Sequence, residues 1–369
     1  MADTSGAKEG RDFRRTLRRV LAVAGPFLGL VLVVAFFAWS TPHRGAFFSR
    51  DNWITNQFLS AANWRTISVQ AVIVGIAALG MTAVMIAGGI DLSIGSVVAM
   101  VTVVIAVFAT GFPIDFTFPR FLGRGHVAFA VPAIPVAAAL ILGVIAGGMC
   151  GLFNGLLITR LNVVPFIITL GSLKIFRGLA KWFSGSTQVY VPREARPRWL
   201  DGLLSTSAPD PSWLLVAPGV WVMLALAIVM ALMLRYSILG RYIYAVGSSE
   251  PTARLCGIDV PRVKLIIYGL AGLATGLAGA MQFANISGQG DPSVSDGLEL
   301  QVIAAVVIGG GSLSGGEGTV LGTLIGCLII TVLDNGCTHV GYSPASRDVI
   351  VGAIIVAAVA IDRLRRRQS

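Results

Sequence analysis

Residues 80–100 read GMTAVMIAGGIDLSIGSVVAM, and this stretch decides the fold. It lies within an almost continuous apolar stretch from about residue 66 to residue 112, which the segment Gly-Gly-Ile-Asp-Leu-Ser at 88–93 interrupts. About 20 apolar residues are enough for one helix to cross a bilayer. The stretch therefore predicts two membrane helices, joined by a short break that carries the carboxylate of Asp91.

The composition of the whole chain also indicates a membrane protein. Of its 369 residues, 55% are apolar and 12% are charged, and the mean hydropathy is +0.80. A soluble domain has about 25% charged residues, so this sequence cannot supply a water-soluble surface for a chain of its length. These values exclude a soluble enzyme, a disordered chain and a disulfide scaffold, and they favour a polytopic membrane protein.

Ten segments are predicted as membrane spans. The first follows a basic stretch, but its length and the lack of a small-residue cleavage site favour a retained helix over a signal peptide. We predict an all-α fold, a single membrane helical bundle of about ten transmembrane helices over residues 20–362, with basic cytoplasmic segments at 1–19 and 363–369. The eighth span is short and glycine-rich and is predicted to be broken or re-entrant. The spans are 20–40, 66–87, 94–112, 128–158, 164–183, 213–234, 264–284, 298–311, 317–336 and 347–362.

The basic residues give this bundle an orientation. Ten spans place both ends of the chain on one side, and 16 of the 28 Lys and Arg residues fall on that side. Nine fall on the opposite side, and the remaining three lie within the fifth span. Because cytoplasmic segments carry the excess of Lys and Arg, we predict that both termini are cytoplasmic. The net charge of +10 is thereby explained without a nucleic-acid partner.

Glycines recur at four-residue spacing in three of the predicted spans. Lipid tails give helices no hydrophobic drive to associate, so small residues that allow close backbone approach favour packing. Tight packing between helices of this chain is the simpler interpretation, and a seam between two copies is the alternative. The spaced glycines are Gly143, Gly147, Gly151 and Gly155, then Gly272 and Gly276, and then Gly318, Gly322 and Gly326.

The break at 88–93 has a counterpart later in the chain. Residues 88–95 and 309–316 share the pattern G-G-x-x-L-S-x-G, and each copy lies just before an apolar helix. Repeated interruptions of this kind often flank transporter binding sites, because unwound backbone exposes polar groups to a cavity. Asp91 and Ser93 are therefore candidates for a gate or pathway. The same two residues also fit a solvated cap at the start of the following helix.

Further polar residues within or near the spans are candidates for a translocation pathway. Lys174 lies about ten residues into the fifth span, whereas snorkelling to the outer interface explains Lys181 and can explain Arg177 on the same face. Neutral amides suit a neutral polyol, and hydrogen bonding between helices is the simpler alternative. The candidates are Asn154, Lys174, Asp334 and Asn335.

The polar segment 235–264, on the predicted cytoplasmic side, contains the signals of a short helix. Ser249 can cap its start, Glu250 and Pro251 suit its first turn, and Gly257 suits the position just after its end. A helix of two turns is not stable alone, so it must dock on the rest of this chain or on a cytoplasmic partner.

Catalytic and cofactor motifs are absent from the sequence. It has no G-x-x-x-x-G-K-[ST] loop for ATP, and neither HExxH nor GxSxG occurs. The four cysteines have no CxxC spacing and the three histidines are scattered, so no metal site is expected. We predict that the chain is not an enzyme and needs neither a cofactor nor a metal.

Several segments resemble the permease subunits of bacterial ATP-binding-cassette sugar importers, the ribose, xylose, arabinose and galactoside group. The similarity extends from about residue 66 to residue 362. Besides residues 80–100 and the LDNG sequence at 333–336, the segments are VPFIITLGSLKIFRGLA (164–180), GRYIYAVGSSEPTARLCGIDVPRVKLIIYGLAGLATGLAGAM (240–281) and AAVVIGGGSLSGGEGTVLGTLIG (304–326).

This resemblance implies a permease of the bacterial inner membrane that moves a sugar or related polyol into the cytoplasm by alternating access. Its implied partners are a second permease copy, a cytoplasmic ATP-binding-cassette ATPase and a periplasmic sugar-binding protein. The short helix would then be the coupling helix that seats in a groove of the ATPase. Its contact residues would be Glu250, Pro251, Thr252, Ala253, Arg254, Leu255 and Gly257.

An ion-coupled secondary transporter of a small polar solute is the alternative. Such a carrier needs carboxylates near the middle of the membrane, and Asp91 and Asp334 are the candidates.

Overall fold

The computed structural model describes residues 25–41, 57–117, 126–129, 131–207 and 215–367. The predicted basic segment 1–19 lies outside these residues. The described part is mostly helical with very little strand, which confirms the predicted all-α membrane fold. Within these residues, five helices are long and apolar enough to cross a membrane: Ala61–Ile86, Val136–Leu161, Pro218–Tyr236, Val260–Asn285 and Val320–Val340.

Each of the ten predicted spans contains a helix within the described residues. The span helices are α1 (Gly25–Ser40), α2 (Ala61–Ile86), α3 (Ile94–Thr110), α4 (Val136–Leu161), α5 (Pro165–Phe183), α7 (Pro218–Tyr236), α10 (Val260–Asn285), α11 (Leu298–Ile308), α12 (Val320–Val340) and α13 (Pro344–Arg367). The shorter helices are α6 (Arg198–Gly202), α8 (Ile238–Ser248) and α9 (Glu250–Leu255).

Two small antiparallel ribbons connect helices. Strand β1 (Ile114–Thr117) pairs with β2 (His126–Phe129), with Ile114 opposite Phe129. Strand β3 (Val189–Tyr190), which follows α5, pairs with β4 (Gln289–Gly290), which follows α10. The second ribbon therefore joins the ends of two helices that are distant in sequence.

The predicted start of the fourth span is wrong. The span predicted at 128–158 begins instead at Val136, because Pro132 and Pro135 lack the N–H groups that a helix interior needs. Helix α13 continues to Arg367, so most of the predicted tail at 363–369 is helical.

The eighth span is short, as predicted. Helix α11 has 11 residues and is about 16 Å long at the α-helical rise, roughly half the thickness of a hydrocarbon core.

Helix α2 forms the centre of the bundle. Its sequence is apolar on every side, and 94% of its most apolar window is buried within the chain. A helix that is hydrophobic all round is expected to lie inside a bundle, and here α7, α10, α11 and α12 surround it. The helix that precedes the break at 88–93 therefore lies at the core of the fold.

The spaced glycines mark the closest crossings between helices. A Cβ atom at Gly151 of α4 would overlap the carbonyl oxygen of Tyr268 in α10, and one at Gly147 would lie 2.5 Å from the Cα of Gly276. At the contact of α12 with α11, a Cβ at Gly326 would overlap the carbonyl oxygen of Ala305. The predicted packing role is confirmed for the glycines within α4, α10 and α12, whereas Gly318 lies before the start of α12 with φ of +154°. The alternative of a seam between copies is wrong for these faces, since helices of the same chain occupy them.

Substituting Gly151 tests this packing. The methyl group of Gly151→Ala has no space against the α10 backbone, so the helices must separate, and we expect a loss of about 1–3 kcal/mol of stability. The measurement is the melting temperature of the purified protein in detergent. Gly171→Ala in α5 is the matched control, because a Cβ there meets nothing within 4 Å. An unchanged melting temperature for Gly151→Ala would contradict the packing role.

Candidate functional site

The two glycine-rich breaks lie in contact with each other. We call residues 87–93, between α2 and α3, the first break, and residues 309–319, between α11 and α12, the second break. The Gly316 N–H donates to the carbonyl oxygen of Ile86 at 2.8 Å. A Cβ at Gly315, where φ is +86°, would lie 2.9 Å from the Cα of Gly88. The sequence repeat thus marks two segments that meet in the folded protein.

Asp91, Ser93 and Asn154 form a buried hydrogen-bonded network at the first break. Oδ1 of Asp91 accepts from the Ser93 N–H at 2.8 Å and from the Ser93 hydroxyl at 2.6 Å. The amide of Asn154, from α4, donates to the Ser93 hydroxyl oxygen at 2.9 Å. All three residues are buried. Three of the predicted site residues are therefore brought together.

The solvated-cap interpretation of Asp91 and Ser93 is wrong. Ser93 occupies the N-cap position of α3, but its side chain makes no capping hydrogen bond to the helix. It donates to Asp91 instead, and the carboxylate that was expected in water lies inside the bundle. The reason is that neighbouring helices, α4 and α5 among them, cover this turn.

Hydroxyl and phenol groups that the sequence analysis did not select surround this network. Thr169 of α5 donates to the carbonyl oxygen of Ile90 at 3.1 Å, and Ser172 lies one turn further along the same face. A Cβ at Gly89 would lie 2.6 Å from the Tyr268 hydroxyl oxygen, so only glycine allows this approach. The three-residue spacing of the two α5 hydroxyls, inside an apolar span, was the signal that could have identified them.

Three buried polar atoms in this region have no hydrogen-bond partner among the described residues. They are Oδ1 of Asn154, the Ser172 hydroxyl and the Tyr268 hydroxyl. Buried polar groups are almost always paired, and an unpaired one costs about 1–3 kcal/mol. Unpaired polar groups are therefore concentrated around the first break, within an otherwise apolar bundle.

The segment α8–α9 packs directly onto both breaks. A Cβ at Gly247, near the end of α8, would overlap the carbonyl oxygen of Ile86 and lie 2.7 Å from the Gly316 nitrogen. The Tyr244 hydroxyl donates to the carbonyl oxygen of Gly318 at 2.8 Å. The end of α8 therefore lies against the end of α2, just before the first break, and against the second break.

The predicted two-turn helix is present as α9. The Ser249 side chain accepts a hydrogen bond from the Thr252 N–H, and Gly257 follows the helix with φ of +80°. Both the predicted cap and the predicted glycine are confirmed. Ala253 is buried against the chain, whereas Leu255 is 90% exposed. Leu255 therefore projects away from the rest of the chain.

Glu250 anchors α9 to the start of α10. Its carboxylate accepts from Lys264 at 2.7 Å and from Arg254 at 2.8 Å. Burial alone would raise the pKa of Glu250, but the hydrogen bonds and charges of Lys264 and Arg254 outweigh burial and lower it. Lys264 also lines a shallow cleft beside Gly88, Gly89 and Tyr268. One lysine thus lies between α9 and the first break.

The three cations of α5 differ in their surroundings. Lys174 and Lys181 are exposed. Arg177 is only 13% exposed and donates to the carbonyl oxygens of Pro292 and Val294, so the snorkelling interpretation is wrong for Arg177. The structure does not bring Lys174 to the Asp91 network, because the buried face of α5 carries Thr169 and Ser172 instead.

Asp334 and Asn335 lie far from the first break. They are in α12, about 20 Å along the helix from the second break at the α-helical rise. Asp334 pairs with Arg347 at 3.0 Å, and Asn335 is buried with its Oδ1 unpaired among the described residues. The predicted site residues are therefore divided among three places. Within the described part of the chain, no three His, Cys, Asp or Glu side chains are grouped as metal ligands.

Comparison with known proteins gives a consistent set of relatives. A family model described as the permease component of the branched-chain amino acid transport system matches residues 63–359. The ribose import permease protein RbsC of Bacillus subtilis is 35% identical over 93% of this chain and 94% of its own length. The L-arabinose ABC transporter permease protein AraH of Azospirillum brasilense is 33% identical over 84% of this chain and 83% of its own.

The fructose import permease protein FrcC of Rhizobium meliloti is 31% identical over 92% of this chain and 85% of its own. No solved structure matches the chain.

The ion pairs of Glu250 predict a pH-dependent stability. Because the pKa of Glu250 is lowered from 4.5 in the folded state, its contribution is complete above pH 4.5 and is lost as the pH falls through the folded value. Its partial exposure limits the effect to about 1 kcal/mol or less. We expect Glu250→Gln to melt below the unsubstituted protein at pH 7 and to converge with it as the pH falls below 4.5.

The measurement is the melting temperature in detergent between pH 3.5 and 7. Glu317→Gln is the control, since Glu317 is exposed in the second break and makes no ion pair within 4.0 Å among the described residues. A Glu250→Gln difference that stays constant across this range would contradict the assignment.

Proposed function

Because this chain belongs to the family of permease components of the branched-chain amino acid transport system, we propose that it is the membrane-spanning permease of an ATP-driven importer that moves a sugar or related polyol into the cytoplasm. A permease component is a translocation subunit rather than an enzyme, and the chain is a multi-pass membrane protein. The ribose, arabinose and fructose permeases among its relatives support the sugar class. An ion-coupled carrier is not favoured by these relatives.

The contact of the α8–α9 segment with both breaks carries this proposal. An ATPase subunit that closes on ATP would push α9, and the push would reach Ile86 and Gly316 through Gly247. The backbones at these positions touch without side chains between them, so little of the displacement is absorbed. The bundle would alternate between two states, open to one side of the membrane at a time.

The ATPase contact is assigned to α9 and to Gly257, which follows it. Leu255 and the exposed part of Arg254 would enter the groove of the ATPase, while Ala253 and Glu250 hold the helix on the permease. The assigned set is Glu250, Pro251, Thr252, Ala253, Arg254, Leu255 and Gly257.

The pathway is assigned to the first break and to α5. Asp91, Ser93 and Asn154 would form a gate whose unpaired polar atoms receive sugar hydroxyls. The exposed side chain of Lys174 on α5 would line the pathway against a second permease copy. Asp334 and Asn335 would act near the other end of α12. We propose that residues 20–362 form this single permease domain.

The other proposed partners follow from the importer class. A periplasmic binding protein would deliver the sugar and supply most of the affinity, so the pathway itself need bind only weakly. The ATPase, the binding protein, the second permease copy and the lipid bilayer complete the assembly.

Leu255→Asp tests the ATPase contact. A carboxylate on this exposed apolar position cannot be desolvated in a protein groove, so we expect at least about a tenfold loss of ATPase that co-purifies with the permease in mild detergent. Leu215→Asp, the same substitution at a 71% exposed leucine before α7, is the control. Full retention of the ATPase by Leu255→Asp would refute the assignment.

Cys256 provides a test of the orientation. It is exposed beside α9, whereas Cys150, Cys327 and Cys337 are buried. If both termini and α9 are cytoplasmic in the bacterial inner membrane, an impermeant maleimide should label Cys256 in inverted vesicles and leave intact spheroplasts unlabelled. Labelling of intact spheroplasts would reverse the orientation, and Cys256→Ser controls for the buried thiols.

A further inference from the structure

The α10–α11 linker, residues 286–297, runs along α3 as mostly non-helical chain. The backbone of Asp291 forms hydrogen bonds with the Thr102 hydroxyl in both directions, the N–H donating at 3.3 Å and the carbonyl accepting at 3.4 Å. A Cβ at Gly290 would lie 2.6 Å from the Cβ of Ala106. The first part of the linker therefore takes its position from α3 and from its pairing with β3.

Arg177 holds this linker on α5. One guanidinium nitrogen donates to the carbonyl oxygen of Pro292 at 3.0 Å and to that of Val294 at 2.8 Å. The other lies 3.6 Å from the carboxylate of Asp296. The Arg177 side chain is 13% exposed, whereas Asp296 is 88% exposed. A largely buried cation within a membrane bundle is costly unless it is paired, so these contacts are not incidental.

The other end of the linker reaches the first break. A Cβ at Gly95, in the first turn of α3, would overlap the carbonyl oxygen of Ser295 and would lie 2.5 Å from a carboxylate oxygen of Glu299. Glu299 is in the first turn of α11, and α11 ends at the second break. A continuous line of contacts thus runs from α9 through the second break, α11 and the linker to Arg177.

We infer that Arg177 is the positioning residue that transmits displacement of the second break to α5. This inference rests on the proposed function, in which α5 lines the pathway and α9 receives the push of the ATPase. Arg177 makes the linker and α5 move together, so that the pathway changes when the second break moves. Without it, the ATPase would still hydrolyse ATP, but α5 would no longer follow.

The guanidinium geometry is essential to this role. Its planar fork can donate to two carbonyl oxygens and face a carboxylate at the same time, whereas a lysine ammonium on a flexible stem is a point charge without that fixed geometry. Arg177→Lys should therefore keep the charge and the fold but lose part of the transmission.

The experiment compares variants of the complete importer in proteoliposomes, with sugar uptake and ATP hydrolysis measured on the same sample. For Arg177→Met we expect sugar uptake to fall about tenfold or more, the loss expected when charge-assisted hydrogen bonds are removed. We expect ATP hydrolysis to stay within about twofold of the rate of the unsubstituted importer. Arg177→Lys should show a smaller fall in uptake per ATP. Lys181→Met is the matched control, because it removes an exposed cation one turn along the same helix and should leave the ratio unchanged.

Hydrogen exchange of peptides covering residues 286–297 gives a readout that does not need transport. Loss of the Arg177 contacts should speed exchange there by about tenfold in Arg177→Met and leave it unchanged in Lys181→Met. If Arg177→Met fails to assemble, Arg177→Lys carries both measurements.

The outcomes distinguish a failure of the role of Arg177 from a failure of the proposed function. Normal uptake per ATP in Arg177→Lys and Arg177→Met, or unchanged exchange in the linker, overturns the role of Arg177. Absence of ATP-dependent sugar uptake in the unsubstituted complex overturns the proposed function, and linker exchange then still decides whether Arg177 holds the linker.

Discussion

The rest of the structure depends on the direct contact between three segments of backbone at the breaks. Gly247 at the end of α8 touches the carbonyl of Ile86 and the nitrogen of Gly316, and Gly88 touches Gly315. A side chain at Gly247 or Gly315 would separate α8 from the core helices. These contacts are between backbone atoms. They connect α9, through the end of α8, to the segment that carries the buried polar network at Asp91.

The same physical constraint governs the bundle at large. In a membrane, apolar side chains gain nothing by leaving lipid for protein, so helices associate through close packing and hydrogen bonds. The crossing of α4 and α10 at Gly147, Gly151, Gly272 and Gly276 satisfies that requirement. This crossing also brings Asn154 of α4 and Tyr268 of α10 beside the first break, where their polar groups gather around one turn of chain.

Much of the fold could be predicted from the sequence, because a membrane helix is specified by a local property, about 20 consecutive apolar residues. The glycine faces, the cap at Ser249 and the glycine at Gly257 could be predicted for the same reason, since each depends on spacing within one segment. Reasoning from local sequence failed where one segment is compatible with two different structures. The segment before Val136 is apolar enough for a helix but contains prolines, and Asp91 fits a solvated cap as well as a buried network.

The sequence by itself determined that this is a helical membrane protein with two similar breaks and a short helix between its spans. It also determined the family, since the matching segments extend over most of the chain. Only the tertiary structure decided that the breaks touch, that Asp91 is buried, and that Arg177 holds a distant linker. The physical reason is that helix formation depends on neighbours in sequence, whereas burial and hydrogen-bond partners depend on residues such as Ile86 and Gly316 that only folding brings together.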